Sequence, residues 1–244
     1  MNKKPVSYLQ TDPRWKDKPY RTSGESSTVG SAGCGPVCAA MLIETITGKK
    51  FTPEDACNWS MQHGYKALNQ GTYYTYFKAQ FKAFGIDCDQ LSWTSSYGKP
   101  NHENHAKALE MLKQGYYLIA LMNKGTWTSA GHFILVWWAD GKIRINDPAS
   151  TKDNRVNGDP YDFKSQAKYY WWVDARKFNQ EDDTMTGKEI YDSLQDYLAT
   201  LPAPDWAQKE LQEAVALGIT DGKNPMQMIP RYQAAIMAKR GREK

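Results

Sequence analysis

The sequence predicts an α+β fold, because helical patterns come first along the chain and strand patterns follow them. Residues with helical spacing occur in four segments, 34–47, 53–63, 72–84 and 102–114. Apolar runs typical of strands then occur at 116–122, 133–138, 142–146 and 169–173. Helices that precede the strands, instead of alternating with them, favour an antiparallel sheet with helices packed against it.

The composition excludes several classes of protein. Of the 244 residues, 41% are hydrophobic and 24% are charged, so the chain can bury a core. No run of about 18 apolar residues is present, which predicts that the chain does not insert into a membrane. Lys3 and Lys4 are followed by no apolar stretch, so no secretory signal peptide is expected. A net charge of +4 is too small to predict nucleic-acid binding.

The sequence holds four cysteines, Cys34, Cys38, Cys57 and Cys88. No Cys-x-x-Cys pair occurs among them, so a zinc ribbon is not expected. Without a predicted signal peptide, the chain is expected in a reducing compartment, where disulfides rarely persist. We therefore expect free thiols and no cofactor.

Two further segments carry oxygen or nitrogen ligands without the spacing of a metal site. His102 and His105 have no third ligand at a suitable spacing. A loop rich in oxygen ligands is formed by Asp153, Asn154, Asn157 and Asp159. Its spacing is not that of the helix–loop–helix calcium site, so a solvated turn is the favoured interpretation and no metal is predicted.

The sharpest local signal is Cys34, which lies between Gly33 and Gly35 at the start of a predicted helix, with Pro36 in the first turn. A thiol at a helix N-terminus faces unpaired backbone N–H groups and the positive end of the helix dipole. Both stabilise the thiolate, which is the nucleophilic form. The glycines would let a substrate backbone approach closely, which makes Gly33 a candidate for substrate binding.

The second signal is His132, which follows Gly131 at the start of an apolar strand pattern. Strands 133–138 and 142–146 are joined by Asp140-Gly141, a strong signal for a two-residue hairpin turn. This turn pairs Ala139 with Lys142 and so fixes the register of the two strands. Gly131 is a second glycine at which a substrate backbone would approach closely.

The predicted register also places Asp147 near His132. Counted back from the turn, Ile134 lies opposite Asp147, and His132 lies two residues away on the same face. Such diagonal neighbours are about 7–8 Å apart, within reach of long side chains. Asp147 would then orient the imidazole of His132, which is the arrangement that a nucleophilic cysteine needs.

Aromatic residues make up 13% of the chain, with 9 Trp among them. They would line a groove for flat ligands such as sugars, or they would fill the core. The tryptophans concerned are Trp127, Trp137, Trp138, Trp171 and Trp172. Trp127 is the candidate of this set for contact with substrate.

The motifs resemble the C39-like branch of the papain-type cysteine peptidases over about residues 5–175. The resemblance rests on four segments in the family's order: 10–15 (QTDPRW), 33–36 (GCGP), 131–134 (GHFI) and 146–148 (NDP). It implies a papain-like α+β fold, in which the helix that carries the nucleophile packs against an antiparallel sheet.

The resemblance also implies the role of each residue. Cys34 is expected to be the nucleophile, His132 the general base and acid, and Asp147 the residue that orients the imidazole. Gln10 is expected to donate from its side chain to the oxyanion, together with the backbone N–H of Cys34.

A boundary is predicted at the acidic and polar segment 179–187. It divides the chain into a catalytic domain, residues 1–178, and a small all-helical module, residues 187–244. The first 178 residues hold 23 basic and 16 acidic side chains, a net charge of +7, while residues 179–244 hold 8 and 11, a net charge of −3. The positive half would suit an anionic polymer such as a cell wall, although a solvated surface explains it equally well.

The C-terminal segment 204–240 is similar to a single S-layer-homology-type repeat. The similarity rests on Trp206-Ala207, on the string Gly-Ile-Thr-Asp-Gly that contains Asp221, and on Arg231 four residues before Ala235. It implies attachment to Gram-positive cell walls, with Trp206, Asp221 and Arg231 as contacts. Because surface proteins usually carry three such repeats, a homodimer interface or a structural helical cap is the competing interpretation.

The two halves together predict a bacteriophage-type endolysin that hydrolyses an amide bond in Gram-positive peptidoglycan. It would be made in the host cytoplasm without a signal peptide and act on the wall after holin-type release. An endopeptidase is favoured slightly over an N-acetylmuramoyl-L-alanine amidase. Two different functions also fit parts of the pattern: a cysteine protease that matures leader peptides, and a non-enzymatic wall-binding module.

Overall fold

The computed structural model describes residues 3–91, 101–178, 187–226 and 231–242. The chain forms two compact units, residues 1–180 and residues 181–244. Segment 179–186, which contains most of the predicted boundary, lies outside the described residues.

The first unit is built on one antiparallel sheet of five strands in the order β1-β5-β2-β3-β4. The strands are β1 (Asp87–Gln90), β2 (Tyr117–Met122), β3 (His132–Ala139), β4 (Lys142–Asn146) and β5 (Ala167–Asp174). The four predicted strands are confirmed. Strand β1 was not predicted, because Asp-Cys-Asp-Gln has neither the alternation nor the β-branched residues of a typical strand.

Helices cover both faces of this sheet, which confirms the predicted α+β class. They are α1 (Val29–Ala32), α2 (Cys34–Thr47), α3 (Pro53–Gln62), α4 (Tyr76–Ala83), α5 (His102–Lys113), α6 (Asp153–Val156) and α7 (Pro160–Gln166). The helix predicted from residue 72 begins only at Tyr76. The reason is that Thr72 forms a β-bridge with Lys66, and a turn at 74–75 separates this bridge from the helix.

The helix α2 is the central helix of the unit. It is buried along most of its length, from Gly35 and Pro36 to Ile46. It ends at Gly48, whose left-handed backbone (φ 68°) lets its N–H reach the carbonyl of Glu44. The helix packs against β3, α3 and α4, so its first residue is held at the edge of the core.

Two hydrophobic clusters lie on opposite faces of the sheet. The cluster that includes α2 contains Phe77, Phe133 and Trp171, whose ring centroids lie 4.9–5.6 Å apart. The other cluster is covered by α5 and α7 and contains Trp127 and Phe163. Both faces of the sheet are therefore packed, and this packing positions the residues at the ends of its strands.

The second unit contains α8 (Gly187–Ala199), α9 (Asp205–Ala216) and α10 (Arg231–Arg242), close to the three predicted helical segments. No residue of α9 is buried, and its apolar side chains Val215 and Trp206 are exposed. In the part of the chain that the structure describes, no helix is both long and apolar enough to cross a membrane.

A buried ion pair joins two loops of the first unit. Lys66 Nζ lies 2.9 Å from Glu25 Oε1, and the two side chains are 1% and 2% exposed. The same ammonium donates to the carbonyls of Ala67 and Gln70, both at 2.7 Å. The backbone N–H of Asn69 donates to the other oxygen of Glu25. The pair therefore fixes the path of the loop that follows α3.

We expect Lys66→Met to lower the melting temperature of the first unit much more than Lys78→Met does. The first change leaves the Glu25 carboxylate buried without its cation, which is costly. The second removes only an ion pair with Asp89 whose side chains are 62% and 46% exposed, and such pairs contribute little. Calorimetry of both variants measures the difference, and equal melting temperatures would contradict the importance of the buried pair.

Candidate active site

The Cys34 side chain lies at the start of α2 and is only partly buried. Its neighbour Gly35 is fully buried, and a Cβ built there would lie 3.2 Å from Thr72 Oγ1 and 3.3 Å from a ring carbon of Phe133. The absence of a side chain at Gly35 therefore lets α2 approach β3 closely.

The His132 ring lies at the first residue of β3, where the residue pairs with Met122 of β2. The hairpin register is the predicted one: Ala139 pairs with Lys142, and the ladder continues to Leu135 and Asn146. The next residue, Asp147, is 3% exposed. His132 Nε2 is 2.7 Å from Asp147 Oδ1, so the two side chains are hydrogen-bonded.

The Asp147 carboxylate has two more partners. The backbone N–H of Ala149 donates to Oδ1 at 2.8 Å. Arg155 Nε lies 2.5 Å from Oδ2, and the two groups form an ion pair. The N–H of Arg155 does not point at this oxygen, so the contact is not a hydrogen bond. A buried carboxylate is costly unless it is paired, and here a cation and two hydrogen-bond donors surround it.

The contact of Arg155 with Asp147 was not predicted. The guanidinium also donates to the backbone carbonyl of Trp127 at 2.6 Å, and Trp127 Nε1 donates back to the carbonyl of Arg155 at 2.9 Å. These bonds tie the segment after β4 to the segment before β3. Arg155 lies eight residues beyond Asp147 and outside the motifs, and a single arginine in a polar segment gives no specific signal in the sequence.

The electrostatics favour an ionised Cys34. Burial opposes ionisation of the thiol, but the hydrogen bond and charge of His132 and the backbone N–H groups of Phe133 and Gly35 outweigh it. The pKa of Cys34 therefore lies below its ordinary value. Burial also opposes the charge on His132, yet its bonds to Asp147 and Cys34 raise the pKa of its imidazole to about 9. Both shifts act toward a thiolate beside an imidazolium.

Cys38 is one helical turn away and behaves differently. Burial raises the pKa of its thiol well above the ordinary value. All four cysteines are free, as predicted, and Cys38, Cys57 and Cys88 are buried. Cys34 therefore combines partial exposure with a lowered pKa, which the other three do not.

Gln10 is held close to both halves of this arrangement. Its backbone N–H donates to the carbonyl of Pro148, next to Asp147, at 2.7 Å. Its side-chain Nε2 donates to the carbonyl of Gly30 in α1 at 2.6 Å. An amide nitrogen carries two hydrogens, so the contact with Gly30 orients the group and leaves the second hydrogen for another acceptor.

The three candidates for substrate contact lie in different places. Gly131 is exposed and lines a cleft of about 410 Å³ together with Cys34. Gly33 is buried, and a Cβ there would be 2.5 Å from the carbonyl of Val29, so its small size is needed within the fold. Trp127 is 2% exposed and belongs to the second hydrophobic cluster, so the structure does not bring its ring to the cleft.

Several other side chains singled out from the sequence lie away from the cleft and have structural roles. Trp171 fills the core. His105 is buried, its Nδ1 lies 2.8 Å from the hydroxyl of Tyr170, and burial lowers the pKa of its imidazole to about 4. In the oxygen-rich loop, Asp159 caps α7 and Asn157 accepts a hydrogen bond from Arg144.

The candidates for wall contact lie in the second unit. Trp206 is 80% exposed in the first turn of α9. Asp221 is exposed, and its side chain accepts a hydrogen bond from the backbone of Lys223 at 3.0 Å. Arg231 is the first residue of α10.

Comparison with known protein families matches residues 10–180 to the Peptidase_C39 like family. The match covers more than half of the chain. The chain belongs to the C39-like peptidase family. This membership indicates cysteine peptidase activity and agrees with the mixed helical and antiparallel architecture of the first unit. No curated protein matches the chain.

In this C39-like chain we expect Asp147→Asn to lower the pKa of His132 from about 9 toward the ordinary histidine value of 6.5. The carboxylate stabilises the imidazolium, so its removal releases the proton at lower pH. Peptidase activity would need the protonated ring beside the thiolate. In the variant, activity should therefore be lost at a lower pH than in the wild-type protein as the pH is raised.

NMR titration of the four histidines measures this shift directly, with His105 as an internal reference. Asp174→Asn is the matched control, because it removes a carboxylate at the end of β5 that pairs with Arg176 and not with His132. If His132 still titrated near pH 9 without Asp147, another charge would be holding its proton.

Proposed function

We propose that this C39-like peptidase is a peptidoglycan hydrolase of the bacteriophage endolysin type, and that it cleaves an amide bond of the wall peptide. The proposal depends on one observation: beside an open cleft, His132 is hydrogen-bonded to Asp147 and lowers the pKa of the Cys34 thiol. A nucleophile, a base and an orienting group in this order are the parts that acyl transfer needs.

In the first half of the proposed reaction, the Cys34 thiolate attacks the carbonyl carbon of the scissile amide. The imidazolium of His132 donates its proton to the leaving amine as the C–N bond breaks, and an acyl-enzyme remains on Cys34. In the second half, His132 accepts a proton from water, which attacks the thioester and expels the thiolate. Asp147 keeps the ring oriented and stabilises its charged form throughout.

Two donors are proposed for the oxyanion that forms during each attack. One is the backbone N–H of Cys34, since the first N–H groups of a helix have no intrahelical acceptor. The other is the second hydrogen on Nε2 of Gln10, whose first hydrogen is bound by Gly30. We also propose that the fold is papain-like in detail, which is supported by the packing of the nucleophile helix α2 on β3.

The proposed substrate is Gram-positive peptidoglycan. The catalytic half carries a net charge of +7, which favours association with an anionic polymer. The second unit would add a wall contact through Trp206, Asp221 and Arg231, as its similarity to an S-layer-homology repeat implies. An exposed indole such as that of Trp206 suits stacking on a sugar ring. A homodimer interface or a structural helical cap is the competing interpretation of this unit.

In this proposal the enzyme is made in the cytoplasm of an infected bacterium. It reaches its substrate after a holin-type breach of the membrane. The enzyme would then be unable to cut the wall until the membrane is breached. Its activity would be controlled by access to the substrate, and no change within the catalytic centre would be needed.

We expect purified Gram-positive peptidoglycan to release soluble fragments with the wild-type protein and none with Cys34→Ala. Cys38→Ala is the matched control, because it removes a buried thiol of the same helix and should leave digestion unchanged. Mass spectrometry of the fragments identifies the new amine ends and hence the bond that is cut. Fragments from Cys34→Ala would refute the nucleophile, and no fragments from the wild-type protein on several wall types would refute the substrate.

We expect Trp206→Ala to weaken the sedimentation of the protein with intact walls while its melting temperature stays unchanged. The ring is 80% exposed, so its loss should not affect folding. The matched control is Tyr161→Ala, which removes a ring that is 77% exposed in the first unit. Equal sedimentation of the wild-type protein and Trp206→Ala would refute the proposed contact of Trp206 with the wall.

A further inference from the structure

The cleft beside Cys34 is lined by residues of several elements, among them Lys168 of strand β5. Its lining includes Gly71, Tyr74, Asn123, Gly131 and Lys168. No Asp or Glu is found among the described residues that line this cleft, and Lys168 is the only Lys or Arg among them. The charge that the described lining residues bring to this cleft is therefore positive.

An irregularity of the backbone accounts for the position of Lys168. Tyr169 pairs with Leu121 and Ala167 pairs with Met122, so three residues of β5 span two positions of β2. This is a β-bulge, in which one strand carries an extra residue relative to its neighbour. Such bulges change the direction of a side chain and are frequent next to active sites.

The bulge changes the face of the sheet on which Lys168 lies. Ala167 and Tyr170 belong to the cluster under α5, whereas Tyr169 belongs to the cluster that contains α2. Regular alternation would put Lys168 and Tyr170 on the same face, away from Cys34. With the extra residue, Lys168 instead lines the cleft, and its Nζ lies 5.2 Å from the ring centroid of Tyr169.

The side chain of Lys168 is also restrained, because the residue is only 7% exposed. A lysine ammonium in a partly dry cleft interacts more strongly with an anion than one in bulk water. Charge-assisted hydrogen bonds between an ammonium and a carboxylate are stronger than neutral ones. The position, the burial and the charge of Lys168 therefore favour an anionic group of a peptide bound beside Cys34.

We propose that Lys168 binds a carboxylate of the substrate next to the scissile bond, so that the enzyme prefers anionic peptides. This inference deepens the proposed function and rests on it for the identity of the peptide. Wall stem peptides fit this chemistry, since their residues carry free carboxylates or the corresponding amides. On this basis the enzyme distinguishes the free acid from the amidated form of the same stem.

The first test uses two small alkylating agents and does not depend on the natural substrate. Iodoacetate and iodoacetamide are similar in size, and with each the Cys34 thiolate displaces iodide to form a thioether. Iodoacetate is anionic and iodoacetamide is neutral. The ratio of their rates at Cys34, read by mass spectrometry, therefore reports the charge near the thiolate. The fraction of Cys34 that is ionised changes both rates by the same factor, so it cancels from their ratio.

We expect Lys168→Met to lower the ratio of iodoacetate to iodoacetamide rates, and Lys168→Glu to lower it further. Lys164→Glu is the matched control, because it makes the same change of charge on the exposed side of α7, outside the cleft. Lys168→Met introduces no charge into a site that is 7% exposed, so it provides the test if Lys168→Glu does not fold. An unchanged ratio in Lys168→Met would overturn the inference.

The second test measures kcat/KM on a synthetic stem peptide with a free carboxylate and on the same peptide with that group amidated. A charge-assisted contact predicts a preference of about tenfold for the acid in the wild-type protein, and its loss in Lys168→Met. Equal loss on both peptides would overturn the inference. A ratio of alkylation rates that depends on Lys168, combined with no cleavage of either peptide or of walls, would refute the proposed substrate and leave the anion site standing.

Discussion

The contact between His132 and Asp147 is the interaction on which the candidate site depends. It joins the first residue of β3 to the residue that follows β4, so it also closes the open end of that hairpin. The carboxylate is buried and would be costly to keep charged without partners. Arg155 and the N–H of Ala149 supply the remaining contacts. The cost of burying Asp147 is therefore offset by the loop that follows it, and the result is an imidazole with a raised pKa.

A second constraint is the close approach of the nucleophile helix to the sheet. Cys34 belongs to a helix, while His132 belongs to a strand, and only tertiary packing brings them together. Gly35 allows that packing, because a side chain there would press on Thr72 and Phe133. Gly33 has a related role on the other side, against the carbonyl of Val29. The two glycines around Cys34 thus determine where its side chain lies.

The features that could be predicted from the sequence are those that depend on local geometry. The Asp140-Gly141 turn fixed the register of β3 and β4, and that register was enough to bring Asp147 within reach of His132. Pro36 and Gly48 similarly indicated the extent of α2. The short strand β1 escaped prediction because its polar residues become a strand only by pairing with β5.

Residues whose position depends on the assembled fold could not be predicted in this way. Arg155 is one polar residue of a loop until the chain folds and brings its guanidinium to Asp147 and Trp127. Trp127 was considered for substrate contact because aromatic rings suit sugars, but the fold buries its ring in a core that periodicity alone does not reveal. Lys168 carries no signal in the sequence, since a bulge changes the alternation from which its face would be assigned.

Two departures from regular backbone structure thus define the charge of the cleft. The start of α2 leaves N–H groups free to stabilise an anion at Cys34, and the bulge in β5 directs a cation into the same space. A lysine ammonium in the cleft would attract a substrate carboxylate before any bond is broken. Because that contact would be made in the bound substrate as well as in the transition state, selectivity would show more in KM than in kcat.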